Sequence, residues 1–178
     1  CILFFLASYF KPGYIFGRNT VAGGDTPSHY CLAHYFAENK NPFGWVPGNF
    51  AGFPAFQFYP PVSFLLIALV DYLFPIQNAF NLIFILGTFL LPVASFYCLN
   101  RLGFSFPTPV LGAILSLIFL FNEGNSMWGG NIPSTLAGEF SYSLAFALSM
   151  AYLGALYKTL SSGRDVKPLA IFLLSARI

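Results

Sequence analysis

The chain has 178 residues, 57% of them hydrophobic and only 8% charged, with a formal net charge of +2. Soluble domains carry about 25% charged residues, so this composition excludes an ordinary water-soluble globule and points to a membrane protein. The small net charge comes with no basic stripe and no zinc-ligand spacing, which argues against a nucleic-acid partner.

In chain order, Cys1 to Phe10 is apolar and stops at Lys11, as the exit end of a transmembrane helix would. No basic start or cleavage pattern marks it as a signal peptide. Leu169 to Ile178 is apolar again apart from Arg177. With no initiating methionine, the chain is expected to be an excerpt of a longer protein, cut inside membrane segments at both ends. A bilayer span needs about 20 apolar residues. Asn78 to Leu99, Phe104 to Phe121 and Ser141 to Tyr157 are the expected spans, and Pro168 to Ile178 begins a fourth. Val62 to Phe74 has only 13 residues, contains Asp71 and follows Pro60-Pro61, so it is short for a span. The expected fold is an all-α polytopic membrane protein. Residues 1–178 form one transmembrane module, with outer loops at 12–61 and 122–140.

Basic residues near span ends favour the cytoplasmic side. Arg101 follows one span, and Lys158, Arg164 and Lys167 follow another. Placing both groups inside puts both loops outside, provided that Val62 to Phe74 lies on or dips into the membrane without crossing it.

The first loop opens with Gly23-Gly24-Asp25-Thr26-Pro27-Ser28-His29. Thr26 is expected to cap a helix reaching about Glu38, with Pro27 as its first residue. Asp25 would sit beside the free N–H groups of that first turn, where a carboxylate stays ionised. It can then accept a proton, hold a cation or merely cap the helix. His29 lies close enough to share a phosphate or metal with it, or is simply a solvated polar residue; His34 points elsewhere and reads as interfacial. Farther on, Trp45, Phe50, Phe53, Phe56, Phe58 and Tyr59 alternate with prolines and glycines. Such aromatics sit at headgroup level, stack on a sugar or grip an isoprenoid chain.

In the second loop Ser134 is expected to cap a helix, and Glu139 immediately precedes an uncharged span. A carboxylate buried there is costly unless paired or functional. The structural alternative is an interfacial glutamate bonded to Ser141 or Ser143. Glu123 is the weaker candidate. Cys1, Cys31 and Cys98 have no metal spacing, and the small residues Ser141, Ser143, Ala145, Gly154 and Ala155 favour close helix packing.

A first span, Gly23-Gly24-Asp25 opening a long loop, Phe58-Tyr59-Pro60-Pro61 leading into a short apolar segment, and a second acidic loop together resemble the GT-C superfamily. These polytopic glycosyltransferases include the oligosaccharyltransferase catalytic subunit and the protein O-mannosyltransferases. Leu136-Ala137-Gly138-Glu139-Phe140-Ser141-Tyr142-Ser143 looks like the prokaryotic group labelled as 6-pyruvoyl-tetrahydropterin-synthase-related membrane proteins. Nothing in the sequence supports pterin chemistry.

The resemblance implies transfer of a sugar from a polyprenyl-phosphate-linked donor at the outer face of a prokaryotic plasma membrane, with membrane lipid as a further partner. It gives Asp25 the catalytic or metal-coordinating role, and Glu139 the looser match to a second acid. A divalent metal, Mg or Mn, would be held by these two. No Asp-x-Asp stands in the second loop, a departure from the oligosaccharyltransferase branch. His29, Arg18 or Lys40 would offset charge on the leaving phosphate, and Trp45, Tyr59 and Trp128 would line the sugar or lipid site. The competing readings are a non-catalytic or degenerate relative and a transporter or flippase, although the uncharged spans give a transporter little support.

Overall fold

A computed structural model describes residues 1–17, 19, 23–41, 44–48, 51–124 and 126–162. Their helices are α1 (Ile2–Phe10), α2 (Pro12–Ile15), α3 (Thr26–Asn39), α4 (Ala55–Phe58), α5 (Pro61–Val70), α6 (Ile76–Arg101), α7 (Thr108–Leu120), α8 (Ile132–Ala137) and α9 (Phe140–Ser162). Proline stands in the first turn of α2, α3, α5, α7 and α8. There its missing N–H removes no helical bond and its fixed φ is already helical. Among the described residues there is no strand, only an isolated bridge between Val46 and Phe53. The all-α expectation therefore holds.

Among the described residues two helices are long and apolar enough to cross a membrane. α6 has 26 residues and α9 has 23. At 1.5 Å per residue they are roughly 39 and 35 Å long, more than the ~30 Å hydrocarbon core. They contain the expected spans 78–99 and 141–157. The expected span 104–121 is only partly helical. α7 has 13 residues, about 20 Å, because residues 104–107 form a turn ahead of it. The expected fourth span, 168–178, lies outside the described residues, as do Arg164 and Lys167.

Packing fixes the helix directions. A Cβ built at Gly87 of α6 would stand 2.5 Å from the backbone of Ser143 and Leu144 of α9, and one at Gly154 would stand 2.7 Å from Cα of Cys98. Contacts thus advance together along both helices, so α6 and α9 run parallel. Small residues bring the helices together as expected, with Gly87 on the α6 side of the seam. α7 runs back along α6: Gly112, near its start, meets Leu99, near the end of α6. The Phe119 ring lies 5.3 Å from that of Phe146 on α9. α1 runs opposite to α6. The Phe10 ring is 5.8 Å from Phe89, while Asn81 donates farther along to the Ile15 carbonyl oxygen at 3.1 Å. The end of α1, the start of α6, the end of α7 and the start of α9 therefore share one end of the bundle. Arg101 and Lys158 lie at the other.

The short segment after Pro61 keeps to one end of the bundle. α5 has 10 residues, about 15 Å or half a hydrocarbon core. Near its start, Phe64 lies 5.9 Å from Phe140, the first residue of α9. Its end turns through residues 71–75 directly into α6. Both ends of α5 thus stay at the loop end of the bundle. Phe64, Phe80, Phe84 and Phe140 are almost wholly buried there and form an aromatic core beneath the loops. Leu6, Leu91, Leu120 and Ala147 belong to a second core between the helices.

Candidate functional site

The site is built on a seam between two backbones. The Asp25 N–H donates to the Ala137 carbonyl oxygen at 2.9 Å, and the Thr26 hydroxyl donates to Leu136 O at 3.4 Å. The approach is so close that a Cβ at Gly24 would stand 2.0 Å from Ala137 O; Gly24 also has φ +45°. On the facing strand of chain Gly138 has φ +123°, and a Cβ there would meet Asp25 Cβ at 3.2 Å and His29 Cδ2 at 3.4 Å. Side chains on either glycine would push the loops apart, and positive φ is accessible to glycine at little cost. The Gly24 and Gly138 positions therefore bring Asp25 and Glu139, 114 positions apart in sequence, to one place.

Local structure fixes each partner. α3 begins one residue earlier than expected: Thr26 is already helical and wholly buried, and Asp25 takes the N-cap position. Its side chain makes no capping bond. The carboxylate is exposed and, among the described residues, has neither a hydrogen bond nor an ion pair. Helix capping therefore does not occupy it. In the second loop Asn131, not Ser134, caps α8: its Oδ1 accepts from Ser134 N at 3.0 Å. Asn131 Nδ2 also donates to Asn122 O at 2.8 Å, tying the loop to the end of α7. Glu139 N donates to Ser134 O at 3.0 Å, and Ser143 Oγ donates to the Glu139 backbone carbonyl at 3.1 Å. The expected serine bond thus reaches the Glu139 main chain and leaves its exposed carboxylate to solvent.

His29 lies beneath the acids and is only 5% exposed. Its ring centroid is 5.2 Å from Tyr59, 5.6 Å from Phe140 and 6.3 Å from Phe64. Nδ1 is buried without a hydrogen-bond partner among the described residues. Burial pushes the histidine pKa below its ordinary value, and the Asp25 charge only partly opposes this. A neutral imidazole in an aromatic nest corrects both the solvated reading and the role of a cation facing phosphate. Tyr59 is 36% exposed at the rim. Burial raises its phenol pKa first, then the Asp25 charge, then the Glu139 charge. One phenol therefore senses both carboxylates.

The remaining candidates are dispersed. Lys40 is at the far end of α3 from Asp25, roughly 20 Å along the axis, with its ammonium 5.1 Å from the Tyr72 ring centroid. Trp45 is 59% exposed on a loop held by the Val46–Phe53 bridge and by Tyr35 Oη, which donates to Trp45 O at 2.6 Å. Trp128 stands 75% exposed on the second loop. Arg18 lies outside the described residues. Glu123 lines a separate cleft of about 320 Å³ with Tyr9, Ile132 and Pro133. His34 is exposed and 3.4 Å from Glu38. Among the described residues no three His, Cys, Asp or Glu side chains are grouped as metal ligands. The expected Mg or Mn thus finds no three-ligand set there.

The sequence singles out the two acids as candidates but not what joins them. Gly138 was the available signal: a glycine immediately before a candidate acid marks a backbone position needing positive φ or close approach.

These features define an all-α membrane protein with two acid-bearing loops meeting at one end of its helix bundle. The chain belongs to the family described as 6-pyruvoyl-tetrahydropterin synthase related domain, membrane protein, whose model matches residues 56–178. That stretch holds Tyr59, α5 to α9 and Glu139; Asp25 and His29 precede it. No curated protein and no solved structure matches the chain.

Proposed function

We propose that the loop end of the bundle transfers a sugar from a polyprenyl-phosphate-linked donor to an acceptor hydroxyl, at the outer face of a prokaryotic plasma membrane. The observation that carries this reading is the joining of Asp25 and Glu139 beside Tyr59 by the Gly24–Gly138 seam. Arg101 and Lys158 at the opposite end of α6 and α9 favour the cytoplasm for that end and the outside for the acids.

Asp25, whose carboxylate has no bonded partner among the described residues, is the general base. It takes the proton from the acceptor hydroxyl as that oxygen bonds to the anomeric carbon. The bond from that carbon to the phosphate oxygen breaks, its electron pair stays on the phosphate, and polyprenyl phosphate leaves. Glu139 accepts hydrogen bonds from donor or acceptor hydroxyls, and the Tyr59 phenol donates one at the rim. His29, neutral and packed against Tyr59, holds the phenol in place.

The test is product analysis with the full-length protein and a polyprenyl-phosphate sugar. Wild type transfers the sugar, and Asp25→Asn loses about 10²–10⁴-fold in rate. Unchanged transfer by Asp25→Asn would remove Asp25 from the role. Absence of transfer by the wild type, with sugar-independent movement of lipid or solute, would favour the transporter reading.

A further inference from the structure

α3 and α5 pack on each other at the same end of the bundle, yet their outer faces differ. The exposed row of α3 holds Cys31, His34 and Glu38, with His34 and Glu38 paired in the open. The exposed row of α5 holds Leu65 and Leu69, 41% and 60% exposed, and continues into Leu73 at 80%. The buried side of α5 is already filled by Ser63, Phe64 and Ile67. The leucine row is therefore surplus to the protein core, and water does not explain it, because the neighbouring helix shows what a water-facing row looks like here.

α5 connects to α6 through residues 71–75. The outer face of α7 has the same character, with Leu115 and Ile118 at 59% and 70% exposure. We infer that the outer row of α5, Leu65, Leu69 and Leu73, lies against lipid acyl chains of the leaflet on the side of the acid-bearing loops. α3 lies over it on the water side. This placement depends on packing and exposure alone and stands whether or not the protein transfers sugars.

The experiment uses the full-length protein with its native cysteines replaced by alanine, reconstituted in phosphatidylcholine–phosphatidylglycerol vesicles. An environment-sensitive fluorophore is attached to Leu69→Cys or Leu65→Cys. Glu38→Cys is the water-facing reference and Ile118→Cys the lipid-facing one. The positions are exposed, and two on α5 guard against a single variant that fails to fold. The α5 probes are expected to be quenched by lipids carrying a shallow doxyl label at least about twofold more than the Glu38 probe, and to be shielded from iodide. Iodide quenching equal to that at Glu38 would put the row in water. Quenching by neither agent would mean that protein covers it, and stronger quenching by a deep doxyl label would mean that α5 sinks past one leaflet; each result overturns the inference.

Discussion

The molecule uses close backbone approach in two places, with different consequences. Between α6 and α9, Gly87 faces the backbone of Ser143 and Leu144, and the two helices are joined along much of their length. Between the loops, Gly24 faces Ala137 and Gly138 faces Asp25, but the seam is only a few residues long. The helix seam determines whether the bundle exists. The loop seam determines whether two exposed carboxylates meet. It is also the less redundant of the two, since it rests on the Asp25–Ala137 bond and a long Thr26–Leu136 bond.

The two seams are separable by mutation. Gly87→Ala has the largest expected effect on stability: its Cβ would overlap main-chain atoms at 2.5 Å, and forced helix separation costs about 1–3 kcal/mol. Thermal unfolding in detergent should show a lower Tm, with the loop end disturbed as well. Gly24→Ala follows. It combines a clash at 2.0 Å with φ +45°, and an alanine in that backbone region costs about 1–2 kcal/mol. The loop can yield where the helices cannot, so Tm should fall less while the proposed sugar transfer falls sharply. A Gly24→Ala protein with full activity would show that the seam does not position the acids. Asn131→Ala removes the α8 cap and should cost about 1 kcal/mol, measured by the same unfolding, with Glu139 affected more than Asp25.

The smallest effect concerns pH. The pKa of His29 is lowered in the fold from the ordinary 6.5. Above that value both the folded and unfolded chains hold it neutral, and it adds no pH dependence. As pH falls below 6.5, the unfolded chain takes up the proton first, so stability is lost until the folded pKa is passed. The Tm of the wild type should decline over that range, and His29→Gln should flatten the decline. An identical slope in both would mean that another group controls it.

The comparison also shows how far the sequence could be read. Asp25 was visible because a carboxylate precedes the proline-marked start of α3, and Glu139 because a charge stands before an uncharged span. Their meeting was not visible, since it depends on contacts between Gly24 and Ala137 and between Gly138 and Asp25, which no local pattern encodes. His29 illustrates the same limit. A lone histidine in a helix of mixed polarity reads as solvated, and only the rings of Tyr59, Phe64 and Phe140 bury it.

By itself, the sequence determined the all-α membrane character, the positions of α6 and α9, and the two acids, because hydrophobic runs, prolines and isolated charges act locally. Tertiary structure alone decided that both ends of α5 stay at one end of the bundle, that His29 is buried, and that Asp25 and Glu139 share that end. These outcomes depend on close packing between distant segments, where a missing Cβ at Gly24 or Gly87 sets how near two backbones can come.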